Sequence, residues 1–317
     1  MAKTKTRLRA ALEVTIPVLL LLLLALLVFR RSVYEPPAAP QPGAAQLASA
    51  APPRPDGPEQ AVVTSVTGPV QRVHSGGPPV KLRIGERLQA DDSIRTGKGG
   101  RTSLRIGERS NLSVTDSTQV TIRELTHALH RFKLDRGRLA VDYQPDGERV
   151  LKIESEGSGA VAETSGARFS VLSTGSTIAV ATETGSVNLR AADHLVAVGK
   201  GQQGVAREGS APSAGAALPV KLLLKIAAAD SPDLCARVSG QTWPGSEVVV
   251  DGVPAEVDAA GRFEVRVARR PADKKEVLVA LRDPLGREQT RTVPCGPEGE
   301  ASVDDLAMRW RKRKVPQ

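Results

Sequence analysis

The sequence predicts an all-β protein in two folded parts, preceded by one N-terminal transmembrane helix. Three observations carry this. Short runs of alternating apolar and polar residues recur about every ten residues from Ala61 to Val198, with a turn residue in almost every gap. Alternation of period two marks strands with one buried face, and Gly, Asn, Asp and Pro supply the turns between them. A second, shorter series of the same kind runs from Val220 to Val293, and the segment from Ala10 to Phe29 is almost wholly apolar.

Taken in order, residues 1–9 form a short basic cytoplasmic tail and residues 10–31 a membrane anchor. At about 1.5 Å per residue the apolar run spans roughly 30 Å, one bilayer core. A cleaved signal peptide is the rival reading, but Phe29-Arg30-Arg31-Ser32 follows the apolar run where a small-x-small site belongs, and Ala48-Ser49-Ala50 lies too far downstream. Four basic residues precede the span and two follow it, which keeps the N-terminus inside and exports the rest. About ten residues then lie in the cytoplasm, so an inward signal would need a partner.

Residues 32–60 form a Pro/Ala-rich spacer, with Pro36, Pro37, Pro40, Pro42, Pro52, Pro53, Pro55 and Pro58. Such a chain favours extended polyproline II, with a reach of up to roughly 80 Å. Residues 61–208 read as one β-domain whose many short strands suit a wound or solenoid-like sheet as well as a sandwich. Within it Ala128–Leu134 and Arg138–Tyr143 read as separate strands, as do Thr177–Thr182 and Gly185–Arg190. Residues 209–219 are a second linker. Residues 220–297 form a small β-unit of seven strands, the first of which (Val220–Ala227) could equally be a short helix; the pattern suggests an immunoglobulin-like (Ig-like) sandwich. Cys235 and Cys295 lie at its two ends. In an oxidising compartment they would close a loop of about 60 residues, worth roughly 4 kcal/mol in the chain-entropy estimate. Residues 298–317 are a basic C-terminal tail.

Charge and composition exclude several functions. The net charge is +9, but residues 1–31 carry +5 and residues 309–317 another +5, leaving −1 on residues 32–308. A folded basic face for nucleic acid is therefore not expected, and 3% aromatics provide no stacking platform. His127 and His130 have no Cys or carboxylate at ligand spacing, which predicts surface histidines and no metal. Asp91 and Asp92 point to opposite faces of a strand and suit turn capping. Gly97-Lys98-Gly99-Gly100 and Gly199-Lys200-Gly201-Gln202-Gln203-Gly204 lack the spacing of a phosphate loop. No GxSxG grouping is present. The expectation is a non-enzyme without cofactor. Arg309, Trp310, Arg311, Lys312, Arg313 and Lys314 form a solvated end or a candidate contact with an anionic surface.

A set of motifs in order then adds a resemblance. The series runs Gly68-Pro69-Val70, Gly85-Glu86-Arg87-Leu88, Asp92-Ser93-Ile94-Arg95-Thr96-Gly97 and Gly100-Arg101-Thr102-Ser103-Leu104-Arg105-Ile106. It continues through Leu134-Asp135-Arg136-Gly137, Gly166-Ala167-Arg168-Phe169-Ser170-Val171, Ile178-Ala179-Val180 with Gly185-Ser186-Val187, and Gly199-Lys200-Gly201-Gln202. Over residues 66–204 this resembles the FecR-domain family of inner-membrane regulators. Two turns depart from the pattern: Glu108-Arg109-Ser110 stands for Asp-Gly-Ser, and Asp91-Asp92 for Gly-Asp. Residues 238–286 likewise resemble bacterial Ig-like modules, through Gly240-Gln241-Thr242-Trp243-Pro244-Gly245 and Asp258-Ala259-Ala260-Gly261-Arg262-Phe263.

The resemblance implies a single-pass inner-membrane protein with exported, non-catalytic β-domains. Its implied role is envelope sensing or signal coupling through protein binding; the alternative is an envelope scaffold or adhesion module that binds peptidoglycan, polysaccharide or a secretion complex. The partner would be an envelope protein or cell-wall polymer.

Overall fold

The computed structural model describes residues 59–227, 237–266 and 276–294. All regular structure among them is β-strand. The first sixteen strands are β1 (Ala61–Thr67), β2 (Val70–His74), β3 (Val80–Lys81), β4 (Arg87–Leu88), β5 (Asp92–Thr96), β6 (Arg101–Ile106), β7 (Ser110–Val114) and β8 (Gln119–Leu125), then β9 (Leu129–Tyr143), β10 (Val150–Ser155), β11 (Ala160–Thr164), β12 (Ala167–Ser173), β13 (Thr177–Ala191), β14 (His194–Gly199), β15 (Gln202–Arg207) and β16 (Ala216–Ala217). They form one continuous sheet folded into two layers. One layer runs β4-β1-β6-β7-β9-β12-β13-β15-β16, the other β3-β2-β5-β8-β9-β10-β11-β13-β14. Every pairing is antiparallel except β9 with β10.

β9 and β13 belong to both layers. Leu129–Arg136 of β9 pairs with β8 and β10, and Gly137–Tyr143 with β7 and β12. Thr177–Thr182 of β13 pairs with β15, and Ser186–Ala191 with β14. The four strands expected on either side of Gly137 and Gly185 are therefore two, each bent once. The physical reason is that both glycines turn the chain through a corner while pairing continues beyond it. Gly137 has φ +95° and Gly185 φ +79°, a backbone region that side chains disfavour. Neighbours also exclude a Cβ: at Gly137 it would meet Thr118 Oγ1 at 2.2 Å, and at Gly185 the Gly166 carbonyl oxygen at 2.5 Å.

The space between the layers is filled by the inward half of each alternation. Leu88, Ile94, Leu104, Ile106, Leu112, Phe132, Leu134, Phe169 and Tyr143 are all buried in one cluster. Each such side chain contributes about 1.5–3 kcal/mol when fully buried.

The second unit comprises β17 (Leu224–Ile226), β18 (Arg237–Thr242), β19 (Glu247–Val250), β20 (Val253–Ala255), β21 (Arg262–Arg266), β22 (Glu276–Arg282) and β23 (Glu288–Pro294). They form a three-stranded sheet, β17-β18-β21, and a four-stranded one, β20-β19-β22-β23. Val238, Val248, Val250, Phe263, Val265, Val277, Val279 and Leu281 from both sheets share one core. The ambiguous opening segment contains strand β17. The β19–β20 hairpin closes through Asp251 (φ +49°) and Gly252 (φ +83°), the Asp-Gly pair that a two-residue hairpin turn of type I′ favours. Residues 209–219 contain β16, which pairs with β15.

Candidate interaction surfaces

The family-like motif residues are built into the frame. Leu88, Ile94, Leu104 and Phe169 lie in the core. Gly85, Gly97 and Gly100 sit in turns, where their N–H groups donate to the carbonyls of Val63, Pro69 and Gly97. Thr96 donates to the Thr115 carbonyl at 2.5 Å and accepts the Thr118 N–H at 2.9 Å. Arg101 opens β6 on the surface. Gly199 ends β14 and donates to Gln202 Oε1 at 2.9 Å.

Asp92 is fully buried and closes a turn by accepting the Gln89 N–H at 2.9 Å. It also accepts from Arg72 Nε at 2.8 Å and lies 2.8 Å from His74 Nδ1. Arg72 reaches on to Glu86 at 2.6 Å, and its pKa is held above the ordinary value chiefly by that hydrogen bond. Asp91 stands at φ +67°, where the related pattern has glycine. These residues shape turns and do not converge on a reactive cleft. Cys235, Cys295 and residues 309–314 lie outside the described residues.

One face of the first unit breaks the one-sided burial that alternation predicts. Phe169–Ser173 of β12, Thr177–Thr182 of β13 and Gln203–Ala206 of β15 are buried at every position. The second unit covers their outer side. Gly245 packs so closely there that a Cβ would lie 2.7 Å from Val205 Cγ2 and 2.8 Å from Ala179 Cβ. Gln203 Nε2 donates to the Pro244 carbonyl at 2.7 Å, and Arg207 Nη2 to the Asp258 carbonyl at 2.8 Å.

Arginines dominate the rest of the contact. Arg138 donates to Ser170 Oγ at 3.3 Å and lies 3.5 Å from the Pro284 carbonyl. Burial, with Arg282 and Arg101 nearby, lowers its pKa. Arg282 crosses to Asp116 at 3.0 Å while also holding Glu288 at 2.8 Å and Glu247 at 3.8 Å. Burial pulls the Arg282 pKa down, but the Asp116 hydrogen bond and the surrounding carboxylates outweigh it and the net shift is upward. Burial pushes the Glu247 carboxyl up, against the pull of Arg282 and Arg136.

A third cluster went unread in the sequence. His130 is buried, not a surface histidine. The reason is its phase: it lies two and four residues before Phe132 and Leu134 on β9, on the core side of the strand. Its Nε2 bonds Glu59, its Nδ1 lies 3.1 Å from the Tyr143 hydroxyl, and Arg149 holds Glu59 at 2.6 Å. Burial pushes the Tyr143 hydroxyl up to about 12, so it keeps its proton and donates to Nδ1. The imidazole then carries its own proton on Nε2 and donates to Glu59. Burial lowers the His130 pKa, opposed by Glu59.

Residues 92–188 match the family described as FecR protein. This stretch is therefore similar to a FecR domain. It runs from buried Asp92 through both bends, to just beyond Gly185. Two crystal structures of a candidate anti-sigma factor from Parabacteroides distasonis, at 2.50 and 1.65 Å resolution, are also similar, each with 14% identity and a TM-score of 0.34. Each comparison covers 39% of this chain and 60% of that chain, so the likeness spans less than two thirds of the relative. No curated protein matches the chain. Among the described residues no helix is long and apolar enough to cross a membrane; the apolar segment at residues 10–31 lies outside them.

Proposed function

We propose that this is a membrane-anchored protein whose exported FecR domain acts in envelope sensing or signal coupling by binding another protein, without catalysis. The observation that carries the reading is the FecR match over residues 92–188, in a domain whose motif side chains are spent on core and turns. The apolar run at residues 10–31, with its basic flanks, supports the anchor and the periplasmic placement. The second unit supports the Ig-like reading by its strand order. Numbered within that unit, its first, second and fifth strands form one sheet and its third, sixth and seventh lie together in the other, as in Ig-like sandwiches, while its fourth joins the second sheet.

In-cell crosslinking followed by pull-down of the full chain tests the function. Recovery of a receptor, a kinase or a sigma-linked protein is expected; recovery of wall or secretion components alone would sink signal coupling in favour of a scaffold. Exported placement also predicts a bond between Cys235 and Cys295. Thiol labelling with non-reducing electrophoresis should find both blocked, and free thiols in native material would refute the bond.

A further inference from the structure

A small amphipathic patch lies at the edge of the first unit, away from the face the second unit covers. In the run Val80-Lys81-Leu82-Arg83-Ile84 only Leu82 turns inward, at 1% exposure, while Val80 is 51% and Ile84 66% exposed. The tight turn from Arg83 to Glu86, closed by the Glu86 N–H on the Arg83 carbonyl, carries Ile84 outward. Val80, Lys81, Arg83, Ile84 and Glu86 line an open groove of about 530 Å³.

The charge of this groove is one-sided. Glu86 is its one acidic lining residue, and it is already engaged by Arg72 at 2.6 Å and by the Arg83 N–H at 3.1 Å. Lys81 and Arg83 have no ion pair among the described residues, nor do Arg87 and Arg105. The last two are exposed and flank Val62 on the outer side of the sheet, one on each neighbouring strand. Two exposed cations, Lys81 and Arg83, therefore share the groove with two exposed aliphatic side chains, and Arg87 and Arg105 add exposed positive charge on the outer side of β4 and β6.

We propose that this patch docks on an anionic bilayer surface, with Val80 and Ile84 entering the headgroup boundary and Lys81 and Arg83 facing lipid phosphates. The inference rests on the anchored reading above, which supplies the bilayer. Isolated aliphatic tips beside unpaired cations suit a surface whose apolar layer lies just beneath a layer of negative charge. An extended acidic peptide fits less well, because β3 is only two residues long and offers little ladder for strand addition. Position agrees: the described chain begins at Glu59, Ala61 pairs with Leu88, and Val62 lies between Arg87 and Arg105. The patch thus lies beside the strand that opens the domain, β1, whose Val63 carbonyl accepts the Gly85 N–H.

The test places the full chain with Ile84→Trp, in a Trp243→Phe, Trp310→Phe background, in vesicles of phosphatidylcholine with or without phosphatidylglycerol. Quenching by brominated lipid is expected only in the anionic vesicles and should disappear in high salt. Lys81→Glu with Arg83→Glu should cut it strongly, since each basic group near such a surface is worth about five-fold in occupancy. An indole at position 84 that stays open to aqueous iodide in anionic vesicles overturns the proposal. Should the tryptophan variants fold poorly, a photoreactive residue at position 84 gives a second reading: capture of lipid supports docking, and capture of protein overturns it. Flotation of the full chain in high salt reports the anchor separately. If it fails there, the same protein added to anionic vesicles from outside still decides the patch.

Discussion

Gly137→Ala isolates the energetics of the first bend of the larger β-domain. Two costs are visible. A residue with a Cβ at φ +95° pays about 1–2 kcal/mol for left-handed backbone. The new Cβ would also lie 2.2 Å from Thr118 Oγ1 and 2.5 Å from Thr118 Cα. The second contact is with main chain, so a rotamer change does not relieve it, and overpacking of this kind costs about 1–3 kcal/mol. Thr118 also resists displacement because its Oγ1 accepts the Arg138 N–H at 3.0 Å and donates to the Asp116 carbonyl at 3.1 Å. The expected loss is therefore about 2–5 kcal/mol. Gly147→Ala is the matched control, since Gly147 has φ +86° with nothing within 4 Å of where its methyl group would sit and should pay the backbone cost alone. Urea unfolding of both variants, followed by circular dichroism, should show a larger drop in midpoint for Gly137→Ala at unchanged slope. Equal midpoints for the two variants would refute the steric account of the bend.

Two further outcomes follow from the side-chain networks. Arg282→Ala and Asp116→Ala should each destabilise the protein, and a double-mutant cycle by urea unfolding should return a coupling of about 1–3 kcal/mol; additive losses would mean that the pair does not join the two units. His130 has a folded pKa below its unfolded value of about 6.5. As pH falls through about 6.5 the unfolded chain takes up a proton that the buried imidazole refuses, so stability should decline from there until the folded pKa is passed. His130→Gln, which can still donate to Glu59 and accept from Tyr143, should flatten that part of the melting-temperature profile; a profile unchanged from wild type would remove His130 as the cause.

What the sequence showed and what it hid divide along physical lines. Leu88, Ile94, Leu104 and Ile106 are legible as core because they alternate in strands buried on one side. Gly137 and Gly185 are legible as places of unusual backbone, but a glycine does not say whether pairing resumes beyond it. That depends on which strands lie alongside: β8 and β10 before Gly137 and β12 after it, and β14 after Gly185. His130 was readable, since period two places it with Phe132 and Leu134. Its partner Glu59, 71 residues away, was not. The covered outer face was the least visible. Ser170, Leu172, Ala179 and Ala181 are small or apolar enough to be buried twice, yet nothing local identifies what buries them.

That outer face bears on the proposed signal coupling. A module on a free linker transmits no orientation, because the linker absorbs any rotation. Here Gln203, Arg207, Arg138 and Asp116 bond the second unit at separate points, and β16 ties part of the connecting segment onto β15. Most of these bonds run to main-chain carbonyls, whose positions are fixed by the second unit's own turns. Such contacts favour one orientation, so the docked arrangement is directional. Under the proposed function a partner that engaged either unit would act on both, and the charge-bridged contact between Arg282 and Asp116 is where that coupling can be weakened without touching either core.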